Sequence, residues 1–211
     1  MQIAIVLFDR FTALDAVGTY EMLCNIPGAE TVFVAERPGP VRNDRGGLTL
    51  IAEKPLAGVT APDVVVVPGG PGQVALMDNE ELLDWLRTVH VTSTWTTSVC
   101  TGSLLLAAAG LLEGRRATSH WLALDDLAAY GAEPTGERVV TDGRIITAAG
   151  VSAGIDMGLT LVGEIAGDQY AQMVQLGTEY DPQPPYDAGS PRKAPAEVVD
   201  TLRAMKESIL R

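Results

Sequence analysis

The chain has 211 residues, enough for one large domain or two small ones and for a substantial core. Its composition, 46% hydrophobic and 20% charged, is that of a folded protein rather than a disordered one. A net charge of −12 repels phosphate backbones and anionic lipids, which argues against nucleic acid or a membrane surface as partner. The two cysteines, Cys24 and Cys100, make no disulfide framework. Two cysteines are also few for a typical structural zinc site, and the two histidines, His90 and His120, leave little for a histidine-rich metal centre. No basic segment precedes the first apolar run, and the longest nearly apolar stretch, 103–112, is too short for a bilayer. A cytoplasmic location is therefore expected, where free thiols stay reduced.

Residues 3–8 form a continuous apolar run without alternation, the pattern of a strand buried on both faces. Residues 14–26 carry apolar side chains at helical spacing and close on Pro27-Gly28. A second strand is expected over 31–35, then a turn-rich link at 42–47 and a small antiparallel excursion over 48–52. The clearest strand, 63–67, ends in Pro68-Gly69-Gly70. Residues 79–90 read as an amphipathic helix capped by Asn79, with Glu80 and Glu81 in its first turn. The strand 94–99 runs into Cys100-Thr101-Gly102-Ser103 and then an apolar, buried helix over 104–112. A helix over 121–130 follows. Residues 138–147 read as a hairpin with Asp142-Gly143 supplying both positive-φ residues of a type I′ turn. A helix over 154–166, an irregular excursion over 177–195 with five prolines, and a last helix over 196–210 complete the chain. Alternating strands and helices predict an α/β fold, a mostly parallel sheet with helices on both faces, in a single domain over 1–211.

The Cys100 elbow is the most informative feature. A nucleophile between a buried strand and a helix sits at the carboxyl edge of the sheet, where open α/β folds place their ligands. The helix dipole at that position predicts a thiolate. Packing as a small hydrophobe is the alternative. Pro68-Gly69-Gly70 ends the neighbouring strand, so the Gly69 and Gly70 amides are candidates to stabilise a developing negative charge. Taken alone, the tripeptide is a turn. Asp15 is either a catalytic acid or the N-cap of the first helix, with Glu21 set deeper along that helix. His120, beside Trp121, is a base, a helix-start residue or a pocket wall. His90 suits the dipole at a helix C-terminus, and Cys24 reads as packing.

With these residues in view, the chain resembles the ThiJ/PfpI superfamily, and within it the isocyanide hydratases. The likeness runs through Leu14-Asp15, residues 67–70, 97–103, 117–121 and 153–156, Glu179-Tyr180, and the proline-rich stretches 184–186 and 188–191. Other branches depart from it. Peptidase-like members carry histidine after the cysteine, where Thr101 stands here, and glyoxalase or deglycase-like members carry glutamate where Asp15 stands. Amidotransferases need a His-x-Glu that does not occur.

The resemblance implies a flavodoxin-like three-layer sandwich related to class I glutamine amidotransferases, and a homodimer. It implies an isocyanide substrate, water as co-substrate, and no cofactor or metal. Cys100 would be the nucleophile and Asp15 the acid and base. Gly69, Gly70 and Thr101 would position substrate or water, with His120 and Trp121 as possible pocket residues. The rival readings are a glyoxalase or deglycase-like hydrolase and a redox- or ligand-sensing domain in which Cys100 oxidises.

Overall fold

The computed structural model describes residues 1–210. The elements in chain order are β1 (Gln2–Val6), α1 (Ala13–Leu23), β2 (Glu30–Ala35), β3 (Gly39–Arg42), β4 (Thr49–Ala52), β5 (Lys54–Pro55) and β6 (Val64–Val67). Next come α2 (Glu80–Thr92), β7 (Trp95–Val99), α3 (Gly102–Ala108), β8 (Arg116–Ala117), α4 (Leu124–Ala129) and β9 (Glu133–Pro134). The rest are β10 (Val139–Asp142), β11 (Ile145–Ala148), α5 (Ala153–Ala166), α6 (Asp168–Gly177), α7 (Ala196–Ala204) and α8 (Lys206–Leu210).

Seven strands form one sheet in the order β10-β11-β7-β6-β1-β2-β5. All neighbours are parallel except the β10–β11 hairpin. The central strands are apolar without alternation because both of their faces are covered: Ile3 to Val6 and Val64 to Val67 are at most 1% exposed. From β1 the chain crosses to β2 in one direction, whereas from β6 it crosses to β7 in the other. Right-handed crossovers then place α1 and α2 on opposite faces. Helix α5 packs on α1, and α3 packs against α2, β6 and β7, giving helix, sheet, helix. The reversal between β1 and β6 is the topological switch point, and ligands in such sheets bind outside the strand carboxyl ends there.

Most expected elements stand within a few residues of their sequence limits, and Asn79 caps α2 by accepting from the Leu82 N–H. The differences have physical reasons. The antiparallel excursion pairs β3 with β4, so a strand precedes the turn at 42–47 as well as following it. In the hairpin Asp142 pairs with Ile145, so the loop is Gly143-Arg144 and only Gly143 has positive φ, +60°. That is the type II′ pattern. Asp142 is a strand residue whose carboxylate accepts from the Arg116 N–H and the Arg115 guanidinium. The segment 121–130 opens as a 3₁₀ turn before α4, and the last helix breaks at Met205 into α7 and α8. Helix α6 is absent from the sequence reading, although Tyr170, Met173 and Val174 stand at helical spacing; Val174 is its one buried residue.

Candidate active site

Three strands deliver the site. Asp15 lies in the first turn of α1, beyond β1; Gly69 and Gly70 follow β6; Cys100 follows β7. Thr12, not Asp15, is the N-cap of α1, so capping does not account for the buried carboxylate. Asp15 is fully buried, and its Oδ2 accepts from the Gly69 N–H at 2.8 Å. Its Oδ1 is buried without an N–H or O–H partner, and the Cys100 thiol donates toward the same carboxyl. A fully buried carboxylate holding only one conventional hydrogen bond is costly, so its presence asks for a reason.

Cys100 is 4% exposed and sits at φ +58°, a left-handed conformation that a side-chain-bearing residue adopts only under constraint. The constraint is dense. Its N–H donates to Ala148 and Ala149 carbonyls, while its own carbonyl accepts from the Ser103 and Ser119 hydroxyls, each at 3.1 Å. The sulfur faces the N–H groups of Val151 and Thr101 and the Thr101 hydroxyl. Val151 is itself left-handed, at φ +37°, which is strained for a β-branched residue. Sequence reasoning missed Val151 and Ser119 as donors around the cysteine. The signal for Val151 was Gly150 at the carboxyl end of the last parallel strand, on the same sheet edge as the elbow.

Close packing at the elbow requires glycine. A Cβ at Gly69 would stand 2.5 Å from the Thr101 nitrogen, and one at Gly102 would stand 2.2 Å from the Val67 carbonyl oxygen. Gly69 and Gly70 are where the sequence reading put them, yet their amides do not stand free for a ligand. Gly69 N–H donates to Asp15, and Gly70 N–H donates to Thr101 Oγ1 at 3.0 Å. These amides orient the carboxyl and the hydroxyl, and the groups facing sulfur come from Thr101 and Val151.

The expected resting thiolate is corrected by the structure. Burial, and then the charge of Asp15, push the Cys100 thiol up, and the donors from Val151 and Thr101 only partly oppose them. Helix α3 has seven residues, so its dipole is weak beside the desolvation. Asp15 rises from the usual 3.8 to about 7, chiefly by burial; the Gly69 amide lowers it and the charge of Asp44, on the β3–β4 turn, raises it. The resting pair is therefore a thiol beside a carboxyl that changes charge near neutrality.

The remaining candidates separate. His120 is half-buried and its Nδ1 accepts from the Leu122 N–H at 3.3 Å, so it starts the 3₁₀ turn and carries its proton on Nε2. Burial lowers its pKa. His120 and Trp121 line a cavity of about 300 Å³ together with Ser119, Ala149 and Val151, three of the residues that touch Cys100. His90 is hydrogen-bonded to Thr96 at 2.8 Å, and burial with Arg144 and Arg115 nearby disfavours the cation that a dipole role needs. Cys24 is exposed at the end of α1, so it does not pack in the core. Among the described residues no group of three or more His, Cys, Asp or Glu side chains is placed to hold a metal, and no helix is long and apolar enough to cross a membrane.

Comparison with known proteins accords with this geometry. The DJ-1/PfpI family model matches residues 1–164. An isonitrile hydratase of Pseudomonas putida is 44% identical over 203 residues, covering 96% of this chain and 89% of that protein. A crystal structure of a ThiJ/PfpI family protein from Pseudomonas syringae superposes with a TM-score of 0.95 at 40% identity, covering 99% of this chain and 87% of that one. A deglycase of Pyrococcus abyssi is 26% identical over 149 residues, covering 70% of this chain and 89% of that protein.

Proposed function

Because the chain belongs to the DJ-1/PfpI family and buries a thiol against a near-neutral carboxyl, we propose that it hydrates isonitriles to N-substituted formamides. The observation that carries this reading is the pairing of Cys100 with Asp15, whose Oδ1 has no conventional partner. The relative in Pseudomonas putida supplies the substrate class.

An isonitrile, R–N≡C, needs both a nucleophile and a proton on its terminal carbon. Ionised Asp15 takes the thiol proton as the sulfur attacks, and it then delivers that proton to the same carbon. The product is a thioimidate, R–N=CH–S–Cys100. The N–H groups of Val151 and Thr101 and the Thr101 hydroxyl stabilise the sulfur as it gains charge. The Gly70 amide holds that hydroxyl in orientation, since Thr101 Oγ1 accepts from it and is left to donate. Water then attacks the thioimidate carbon, and Asp15 accepts its proton. Asp15 passes that proton to nitrogen, the C–S bond breaks as the remaining hydroxyl proton moves through Asp15 to the departing sulfur, and R–NH–CHO leaves with the thiol and the carboxylate restored. A carboxyl near pKa 7 is suited to both proton transfers at neutral pH.

The reading takes residues 1–211 as one domain acting as a cytoplasmic homodimer. The excursion 177–195 is anchored to the body by the Tyr180 hydroxyl, which donates to Asp156 at 2.7 Å. Sedimentation measures the oligomeric state. The activity test compares wild type and Cys100→Ala with an alkyl isocyanide and, in parallel, methylglyoxal. Formamide production by wild type alone is expected. Isocyanide turnover by a folded Cys100→Ala protein refutes the cysteine mechanism, and turnover of methylglyoxal alone favours a deglycase-like activity.

A further inference from the structure

Three cavities lie around the sheet edge, and their walls differ. The first, about 570 Å³, sits at the ends of β1 and β2 and is lined by none of the residues hydrogen-bonded to Cys100 or Asp15. A second, about 240 Å³, borders Thr101 but is walled by Lys206, paired with Asp126 at 2.9 Å, and by Glu207. Of its walls Thr101 alone faces the Cys100 sulfur, and Asp126, Lys206 and Glu207 add three charged side chains. The third, about 300 Å³, is lined by Ser119 and Val151, which contact the Cys100 carbonyl and sulfur, and reaches Trp121, Leu124 and Pro191.

We infer that this third cavity holds the substituent R of the substrate and sets which isonitriles react. The inference rests on the isonitrile reading above. An isonitrile is linear at nitrogen, so a carbon held at Cys100 directs R straight away from the sulfur and needs an open apolar space there. The cavity supplies one. Of its two cationic candidates, Arg138 keeps its charge but is tied to Asp156 and to the Ser152 hydroxyl, and His120 is held as the neutral Nε2–H form. At about 30 Å³ for each water-sized group, the space takes roughly ten non-hydrogen atoms. Compact branched or cyclic alkyl and small aryl groups fit with room to spare, whereas a ten-carbon cage takes the whole of the space.

The far wall is the segment 189–191, within the proline-rich excursion. It is shaped locally: the Ser190 carbonyl accepts from Lys193 and Ala194 N–H groups at 3.0 and 2.9 Å, and Lys193 pairs with Asp187 at 2.8 Å. The opposite wall starts at Leu124, the first residue of α4. Neither Ser190 nor Leu124 takes part in the proton transfers, so both serve as probes of size without altering chemistry.

The test measures kcat/KM for methyl, cyclohexyl and 1-adamantyl isocyanide with wild type, Ser190→Phe and Leu124→Ala. Ser190→Phe fills the cavity from a partly exposed turn with little risk to folding. It is expected to lower the cyclohexyl value about tenfold and leave methyl within about twofold. Leu124→Ala enlarges the cavity and is expected to raise the adamantyl-to-methyl ratio about tenfold. Methyl turnover with ratios unchanged in both variants, or all three substrates moving together, overturns the inference and leaves the hydratase reading standing. Failure of wild type to hydrate even methyl isocyanide overturns the hydratase reading itself, and the inference with it.

Discussion

Replacing Asp15 by Asn should stabilise the protein at alkaline pH while abolishing turnover. The carboxyl stands at about 7 in the folded chain against the usual 3.8, chiefly because burial disfavours its charge. The folded state therefore binds the proton more tightly than the unfolded state. That contribution to stability is complete below about pH 3.8 and is lost as pH rises through about 7. With about 1.4 kcal/mol per unit of pKa, the full loss is about 4 kcal/mol, of which about 3 falls between pH 5 and 8. The Asp15→Asn side chain would carry no charge at any pH, and its amide oxygen still accepts from the Gly69 N–H, so the variant loses no partner there. Denaturant unfolding at pH 5 and pH 8 measures both proteins. The advantage of Asp15→Asn should be about 3 kcal/mol larger at pH 8. An advantage that is the same at both pH values would refute the assignment of a strained, near-neutral carboxyl, as would a variant less stable than wild type at pH 8.

In the proposed mechanism Asp15 must be ionised to take the thiol proton, so kcat/KM should fall as pH drops below about 7. Asp44→Asn removes a charge that raises Asp15, and a pH–rate profile should show that limb displaced to lower pH. Thr101→Val leaves the buried Gly70 N–H without its acceptor and the sulfur without a hydroxyl; a loss of about 1–3 kcal/mol by chemical denaturation and a lower kcat are expected. Gly69→Ala puts a Cβ 2.5 Å from the Thr101 nitrogen, and thermal unfolding should show a loss of about 2 kcal/mol or more together with lost turnover.

Much of the fold was determined by the sequence alone. Uninterrupted runs such as Val64 to Val67 specify doubly covered strands, and helical periodicity between them specifies the crossovers, because local pattern and burial agree there. The Cys100 elbow is legible for the same reason: Cys100, Thr101 and Gly102 are contiguous, and Gly102 is demanded by a backbone 2.2 Å from its Cβ position. Helix α6 shows the converse, since its apolar residues Met173 and Leu176 stay exposed and Val174 alone is buried, so pattern and burial do not agree there. The ionisation of the site is the clearest case of what sequence does not hold. Local rules gave Cys100 a helix dipole and hence a thiolate, and gave Asp15 a choice of cap or acid. The tertiary structure decided both. It buries the thiol and carboxyl against each other, brings the Asp44 charge near Asp15, and turns the Val151 N–H toward the sulfur. Desolvation and through-space charge depend on distances between β1, β6, β7 and β11 that no local window contains, so proton affinities belong to the folded chain and not to its motifs.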